Sequence, residues 1–158
     1  MATRSGDAFQ DLCTMFGLMT LVWAWCENTL AATIGVINEN AGPIKGYPEP
    51  PVSLKKRIQC FKIALRDIPV LKPFQEEGRA LAKRFGELSV RRNQLVHGAA
   101  WQIEQGRFQS VGIRVKGGQN VLEDHSFDEA DAVRLNGEIT ELQDQAAAFL
   151  LKVAGLFS

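Results

Sequence analysis

The sequence predicts a mainly helical fold: a bundle of four helices, or of up to five, with a small antiparallel β-meander between the third and the last long helix. Four segments carry apolar residues at alternating spacings of three and four, the pattern of helices that bury one face. Loops rich in glycine and proline interrupt them. Three short runs of alternating apolar and polar residues follow the third helical segment, which favours strands.

Length and composition fit one globular domain, residues 1–158. The chain is 46% hydrophobic and 23% charged, and 158 residues bury a core without disulfide or metal staples. Its three cysteines are odd in number, widely spaced and never in a Cys-x-x-Cys arrangement, so they indicate neither a disulfide framework nor a zinc site. We therefore expect a cytoplasmic protein that needs no metal and no other cofactor.

The first helix is predicted from about Asp7 to Glu39. Its core-facing positions are Phe9, Cys13, Phe16, Thr20, Trp23, Glu27, Leu30, Ile34 and Ile37. The apolar run Leu12 to Cys26 also suits a signal peptide or a membrane helix. However, Asp7 and Asp11 precede it where positive charge is expected, and Glu27 ends it short of the ~20 residues that span a bilayer. We expect a buried bundle helix and no membrane association.

The second and third helices follow a loop of glycines and prolines at residues 42–51. Ser53 is the predicted N-cap of the second helix, which Pro69 ends. The apolar face of this helix comprises Leu54, Ile58, Phe61, Leu65 and Ile68. The third helix is predicted to begin near Pro73 and to stop at Gly98. Its inward positions are Phe74, Gly78, Leu81, Phe85, Leu88, Arg92 and Leu95.

A strand insertion at about 100–124 separates the third helix from the last. The predicted strands are Trp101 to Glu104, Phe108 to Val115 and Asn120 to Glu123. Ser126, with Glu129 three residues later, predicts a capping box at the start of the last helix. The inward positions of that helix are Ala132, Leu135, Ile139, Leu142, Ala146, Phe149 and Val153.

Two charged residues interrupt these apolar patterns, Glu27 in the first helix and Arg92 in the third. A charge at a core position is costly unless it is paired or solvated, so the two either pair with each other or line a pocket. A purely structural buried ion pair is the alternative interpretation.

The segment that ends the third helix carries the candidate chemistry. On a helix, Asn93 and His97 share a face, and the amide can hold the imidazole in one orientation. Arg92 offers a planar fork for a phosphate, and a histidine that titrates near neutrality can accept a proton from a ribose 2′-hydroxyl. A structural alternative for His97 is an imidazole favoured by the helix C-terminus.

The spacing of Arg92, four residues and His97, with Asn93 directly after the arginine, resembles the R-x(4 to 6)-H motif of the HEPN superfamily of ribonucleases and nucleotide-binding domains. The small-residue tail His97-Gly98-Ala99-Ala100-Trp101 also resembles bacterial members. Trp23-x-Trp25-x-Glu27 with Leu30 is similar to their first helix, so the resemblance covers the whole bundle. Arg91 also satisfies the spacing, but Arg92 is preferred because it falls on the inward face.

This resemblance implies a metal-independent endoribonuclease that acts as a homodimer, with two motifs meeting in a composite cleft. His97 would be the general base or acid, Arg92 the phosphate and transition-state contact, Asn93 the orienting residue and Glu27 a supporting partner. Cleavage would leave a 2′,3′-cyclic phosphate and a 5′-hydroxyl. Some toxin members have a tyrosine where this chain has Ala99, which puts regulation at that position in doubt.

A toxin or phage-defence ribonuclease is thus the first hypothesis, with RNA as substrate and a cognate antitoxin or regulatory protein as a partner. The segment from Lys45 to Arg92 holds twelve basic residues against five acidic ones, and Arg91, Arg84 and Lys83 are its candidate RNA contacts. Because the whole chain has no net charge, a non-catalytic nucleotide-binding, RNA-binding or dimerisation module of the same fold is the second hypothesis. An unrelated helical bundle is the third.

Overall fold

A computed structural model describes residues 4–96, 99–104 and 106–158. Within these residues the chain forms four α-helices, one 3₁₀ helix and three strands. The α-helices are α1 (Arg4–Ala41), α2 (Leu54–Asp67), α3 (Gln75–Val96) and α4 (Glu129–Gly155), and the 3₁₀ helix is Pro69–Phe74. The strands are β1 (Ala99–Glu104), β2 (Arg107–Lys116) and β3 (Gln119–Asp128), paired antiparallel in the order β1-β2-β3. The mainly helical class, with a small antiparallel sheet before the last helix, is confirmed.

The chain divides into two compact units. One, called here the sheet unit, is Met1–Leu21 with Leu88–Glu138, and the other, the helical unit, is Val22–Glu87 with Ile139–Ser158. Helices α1, α3 and α4 each contribute residues to both units. The assignment of residues 1–158 to one domain stays a prediction.

The core of the helical unit is built from aromatic contacts between its helical segments. Trp23 of α1 meets Phe85 of α3 edge to face, with ring centroids 6.3 Å apart. Phe61 of α2 meets Phe149 of α4 in the same way at 5.5 Å. Such pairs add about 0.5–1.5 kcal/mol to the effect of burying the rings. Segments of all four α-helices therefore contribute to the core of this unit.

The sheet unit has its own core, centred on Phe127 of β3. The ring of Phe127 stacks on that of Phe108, its direct partner on β2, at a centroid distance of 5.7 Å. Phe16 of α1 lies 5.9 Å from the same ring. Ser110 of β2 donates a hydrogen bond from Oγ to the carbonyl oxygen of Gln94, 3.1 Å away, and so attaches β2 to the end of α3.

The inward face of α1 differs from the predicted one. Cys13 and Thr20, both predicted to face the core, are exposed. The buried positions lie one residue earlier, at Leu12, Met19 and Cys26. Because the helix turns its larger apolar side chains inward, the spacing of three and four is retained while the face rotates. From Trp23 onward the predicted positions Leu30, Ile34 and Ile37 are confirmed as buried.

The start of α4 is a second correction. Ser126, the predicted N-cap, is an exposed residue of β3, because this strand runs five residues beyond its predicted end at Glu123. The cap is formed instead by Asp128, whose Oδ1 accepts from the backbone N–H of Asp131 at 2.8 Å. The carboxylate of Asp131 accepts in return from the N–H of Asp128 at 3.2 Å. This reciprocal pair satisfies two backbone donors, as a capping box does.

The inward faces predicted for α4 and for the middle of α3 agree with the structure, whereas on α2 only Phe61 and Leu65 of the five predicted positions are buried. All seven predicted inward positions of α4 are buried. On α3, Leu81, Phe85 and Leu88 are buried as predicted. Ser53 occupies the N-cap position of α2, but its hydroxyl makes no capping hydrogen bond within the described part of the chain.

Helix α1 also passes a test of length and composition for membrane spans. Among the described residues, Gln10–Ala41 is long and apolar enough to cross a bilayer. One third of the residues in its most apolar 18-residue stretch are buried. Core helices of soluble proteins and signal sequences near an N-terminus pass the same test. The predicted absence of membrane association stays a prediction.

Candidate functional site

Arg92 lies on the inward face of α3, as its spacing predicts. The residue is 9% exposed, and Leu88 and Leu95, one turn before it and one turn after it, are also buried. Burial of a guanidinium is tolerated only when its donors find partners, since an isolated charge in an apolar interior is strongly disfavoured. The sequence therefore places a strong hydrogen-bond donor inside the protein near the end of α3.

One partner of this guanidinium is the next residue. Nη1 of Arg92 donates to Oδ1 of Asn93 over 3.1 Å. Asn93 is exposed, because neighbouring residues of a helix point in different directions. With its oxygen turned toward the guanidinium, the amide has its two N–H donors to offer elsewhere. The two adjacent candidate residues, Arg92 and Asn93, are thus joined by a direct hydrogen bond.

Asn93 opens onto a cleft of about 420 Å³ in the sheet unit. Val90 and Gln94 of α3 line the same side of the cleft. Gly112 of β2 lies on the opposite side, together with side chains of β3. The volume falls within the ~300–1,000 Å³ of small-molecule sites. Of the described motif residues, Asn93 lines this cleft.

Two titratable side chains of β3 line this cleft, Glu123 and His125. They are two residues apart on a strand and so share a face. Glu123 pairs with Gly112 in the register of the sheet, and His125 pairs with Ser110. Nε2 of His125 lies 3.9 Å from Oε2 of Glu123. The cleft therefore brings an imidazole, a carboxylate and the amide of Asn93 together.

His125 was not among the residues predicted for the site. The sequence predicts that the third strand ends at Glu123 and that Ser126 caps the last helix. Positions 121, 123, 125 and 127 are the less exposed ones in β3, while the intervening residues are exposed. Extending the period of two to Asp128 would have placed Glu123 and His125 on the inner face of the sheet.

His97, the predicted general base, lies outside the described residues, as does Gly98, the predicted helix stop. Helix α3 is described up to Val96, directly before the histidine. The shared face of Asn93 and His97, and the role of His97, stay predictions.

Glu27 is not at a core position. It lies beside the buried Cys26, with its side chain 31% exposed. One carboxylate oxygen accepts a 2.6 Å hydrogen bond from Nε1 of Trp23, and the other lies 3.6 Å from Nη1 of Arg57 on α2. These two contacts give Glu27 structural partners on α1 and α2, and its supporting role at the site stays a prediction. The predicted pairing of Glu27 with Arg92 stays a prediction.

The three predicted RNA contacts each have an acidic partner. Arg91 forms a bidentate ion pair with Glu138 on α4. Arg84 donates a hydrogen bond of 3.0 Å to a carboxylate oxygen of Glu141. Nζ of Lys83 lies 3.7 Å from the carboxylate of Glu87, one turn along the same helix. Exposed pairs of this kind contribute about 0–1 kcal/mol, so an RNA phosphate can replace the carboxylate at small cost. In the free protein, however, they do not form an uncompensated basic patch.

Metal-ligating groups and thiols add no further chemistry to the described residues. No group of three histidine, cysteine or acidic side chains comes together there in a way that could hold a metal ion. Burial raises the pKa of the Cys26 thiol to about 12 and that of Cys60 to about 11. A thiol with so high a pKa is a poor nucleophile. Cys13 is exposed and is the accessible thiol among the three.

No protein-family model, curated protein or solved structure matches this chain. The HEPN resemblance therefore depends on the sequence motifs quoted above.

Proposed function

We propose that this chain is a HEPN-like, metal-independent endoribonuclease that acts as a homodimer. The observation that carries the proposal is the hydrogen bond between Arg92 and Asn93 at the edge of the cleft. It joins two of the three residues of the motif, which lie at the end of α3 directly before His97. Its substrate is RNA. The enzyme would act in the cytoplasm as a toxin or in phage defence, under the control of an antitoxin or regulatory protein.

In the proposed reaction, His97 accepts the proton of a ribose 2′-hydroxyl. The 2′-oxygen then attacks the adjacent phosphorus, and the bond to the 5′-oxygen of the next nucleotide breaks. The products are a 2′,3′-cyclic phosphate and a 5′-hydroxyl that receives a proton from a general acid. Arg92 stabilises the charge that builds on the phosphate oxygens.

Asn93 has a positioning role in this scheme. Its Oδ1 accepts from Arg92, and an amide oxygen has a second lone pair while the amide nitrogen keeps two donors. The same side chain can therefore bond to Arg92 and to an imidazole one turn later on the helix. Because Arg92 is 9% exposed, a phosphate reaches it from the side of Asn93 or through a surface completed by a second copy of the chain.

The test is incubation of the purified protein with total RNA in EDTA. We expect cleavage, products with 2′,3′-cyclic phosphate and 5′-hydroxyl ends, and complete loss of activity in His97→Ala. Arg92→Lys, which keeps the charge but loses the planar fork, should also lose activity, and Arg79→Lys, at an exposed arginine of the same helix, is its matched control and should leave the activity intact. An inert wild-type protein that is folded and dimeric would overturn the proposal.

A second function, a non-catalytic nucleotide-binding or dimerisation module, is favoured by one specific observation. Arg91, Arg84 and Lys83 are each paired with a carboxylate, so these three candidate RNA contacts are locally neutralised. In this case wild-type protein should leave RNA intact, and Arg92→Ala should shift the monomer–dimer equilibrium in addition to the loss of stability expected from its burial. Unchanged melting and sedimentation of Arg92→Ala would reject this second function.

A further inference from the structure

We infer that the RNA backbone binds to the exposed side of α2, at a lysine cluster formed by Lys55, Lys56 and Lys62. The inference rests on the proposed function in taking RNA as the ligand. It concerns different residues, however, because the lysine cluster belongs to the helical unit and Arg92 to the sheet unit. It gives the predicted basic segment, residues 45–92, a specific contact surface on one helix.

Helix α2 has a buried apolar side and an exposed basic side. Its buried residues are Cys60, Phe61, Ala64 and Leu65. The exposed side carries residues at spacings of four, three and four: Lys55, Gln59, Lys62 and Arg66. Lys56, next to Lys55, is exposed as well. From Lys55 to Arg66 this side extends roughly 16 Å along the helix axis. A stretch of that length passes several phosphates of a strand that rises about 3.4 Å per nucleotide.

The ammonium groups of the lysine cluster are not neutralised. No ion pair and no side-chain hydrogen bond joins a lysine of the cluster to another residue in the part of the chain that the structure describes. The other two cations of α2 are engaged. Arg57 lies 3.6 Å from the carboxylate of Glu27, and Arg66 donates two hydrogen bonds to Asp67. Three positive charges therefore remain available within about two turns of one helix.

This availability distinguishes the lysine cluster from the predicted RNA contacts on α3. Arg91, Arg84 and Lys83 each have a carboxylate partner, which a phosphate has to displace. A lysine of the cluster exchanges only water and salt ions for a phosphate, and the release of ions from RNA favours binding. An ammonium group is also an effective point charge for phosphate. Glu49 lines the same open concavity as Lys56 and offsets part of its charge. The cluster as a whole suits a polyanion.

An anionic membrane surface would also attract lysines, but α2 has no free apolar side with which to enter it. A helix that lies in a membrane interface inserts its apolar side among the lipids. The apolar side of α2 is packed in the protein core instead, where Phe61 is fully buried against Phe149. The exposed Val52, two residues before the helix, adds one small apolar side chain. These features favour RNA as the ligand.

The first experiment measures RNA binding by fluorescence anisotropy over a series of salt concentrations. The probe is a labelled single-stranded RNA with 2′-O-methyl groups, which the proposed reaction cannot cut. A variant with Lys55→Gln, Lys56→Gln and Lys62→Gln should bind at least about tenfold more weakly at low salt. The slope of log K against log salt should fall by about 2, because each phosphate contact of a single strand contributes about 0.7. Glutamine keeps the helix propensity, so the variant should fold.

A second triple variant controls for the same change in net charge. It replaces with glutamine three exposed cations that each have an acidic partner: Arg107, Arg134 and Lys152. We expect this variant to bind RNA nearly as tightly as the wild type. If both triple variants lose the same affinity, the effect is one of overall charge and the inference is overturned. A wild-type protein that binds no RNA would overturn it as well.

A single substitution tests the location of the surface without removing a lysine. Gln59 lies between Lys55 and Lys62 on the exposed side of α2, so Gln59→Glu places a negative charge inside the cluster. We expect RNA binding to weaken several-fold with no loss of thermal stability, since the two residues have similar helix propensities. Gln10→Glu, at an exposed position of α1, is the matched control and should leave binding nearly unchanged. Equal effects of the two substitutions would overturn the proposed location.

Further outcomes separate RNA from a membrane, and binding from cleavage. Vesicles of phosphatidylglycerol and phosphatidylcholine should show no binding that depends on the lysine cluster. Vesicle binding that the triple lysine variant loses, in a protein that binds no RNA, would overturn RNA as the ligand. Binding of the uncleavable RNA through the cluster by a protein that cuts no RNA would support the inference and overturn the proposed ribonuclease. RNA cleavage by a wild-type protein whose RNA binding is unaffected by the lysine substitutions would support the ribonuclease and overturn the inference.

Discussion

Arg92 and Asn93 are joined by a hydrogen bond of 3.1 Å from Nη1 to Oδ1, so that a buried cation is held by an exposed amide. The two side chains leave the helix in different directions, one toward the core and one toward the cleft. The bond therefore crosses from the interior of the sheet unit to its surface. Any ligand that moves Asn93 also changes the surroundings of Arg92.

We expect Arg92→Ala to reduce the free energy of unfolding by about 1–3 kcal/mol, because it removes a buried, hydrogen-bonded side chain. Asn93→Ala should cost less, since that side chain is exposed and water can replace the amide. Urea denaturation measures both. Arg79→Ala on the same helix should change stability by no more than about 0.5 kcal/mol. A smaller effect for Arg92→Ala than for Asn93→Ala would contradict the description of Arg92 as buried and bonded.

The cap of α4 gives a second prediction. Asp128→Ala should destabilise the protein by about 1 kcal/mol, because it removes the acceptor for the N–H of Asp131. Ser126→Ala should have almost no effect, since Ser126 is an exposed strand residue. Thermal melting of the two variants at neutral pH decides between them. A larger loss of stability in Ser126→Ala than in Asp128→Ala would show that Ser126 caps the helix.

The fold class was predictable because three of the four α-helices each have one continuous apolar face, which the folded protein buries. Every predicted inward position of α4 is buried, since its apolar face has one consistent phase. Helix α1 is apolar on several sides, so spacing alone does not fix which face is buried, and the predicted face wrongly includes Cys13 and Thr20. The end of β3 was missed because Ser126 with Glu129 imitates a capping box, although Asp128 with Asp131 forms it.

Two glycines on α3 form a matched pair for a packing test. A Cβ on Gly78 would lie 2.7 Å from both Cδ atoms of Leu65, which is 1% exposed, whereas a Cβ on Gly86 would meet no described atom within 4 Å. Gly86→Ala should stabilise the protein by about 0.5–1 kcal/mol through helix propensity. Gly78→Ala should lose this gain and cost about 1–3 kcal/mol in overpacking. Equal melting temperatures would contradict the close contact of α2 with α3.

Because two thiols are buried, we expect the free energy of unfolding to fall at high pH. Above the ordinary thiol pKa of 9.0, an unfolded chain releases these protons, but burial raises the pKa of Cys26 to about 12 and so the folded chain keeps them. Stability is therefore fully present below pH 9 and falls as pH rises toward 12, by at most about 1.4 kcal/mol per pH unit for each thiol. Cys26→Ala should show a shallower decline in unfolding free energy between pH 8.5 and 10.5 than the wild type. Cys13→Ala, at an exposed position, should not.

The candidate site was predictable only in part, for a reason that lies in the chain itself. Arg92 and Asn93 are neighbours, so periodicity was sufficient to place one inward and the other outward. The cleft is formed by residues about thirty positions apart, on α3 and β3, and no local pattern shows that Asn93 faces His125. Only the register of β2 with β3 brings that histidine to the helix.

The ion pair of Arg91 with Glu138 gives a last prediction, on RNA affinity. If Arg91 binds RNA, the carboxylate of Glu138 competes with the phosphate for the same guanidinium. Glu138→Gln should therefore tighten RNA binding, and Arg91→Ala should weaken it and reduce the slope of log K against log salt by about 1. Fluorescence anisotropy with a labelled RNA over a series of salt concentrations measures both. Glu129→Gln, an exposed acid of the same helix, controls for the change in net charge. If it tightens binding as much as Glu138→Gln does, the effect is one of overall charge, and Arg91 is not the residue that contacts the phosphate.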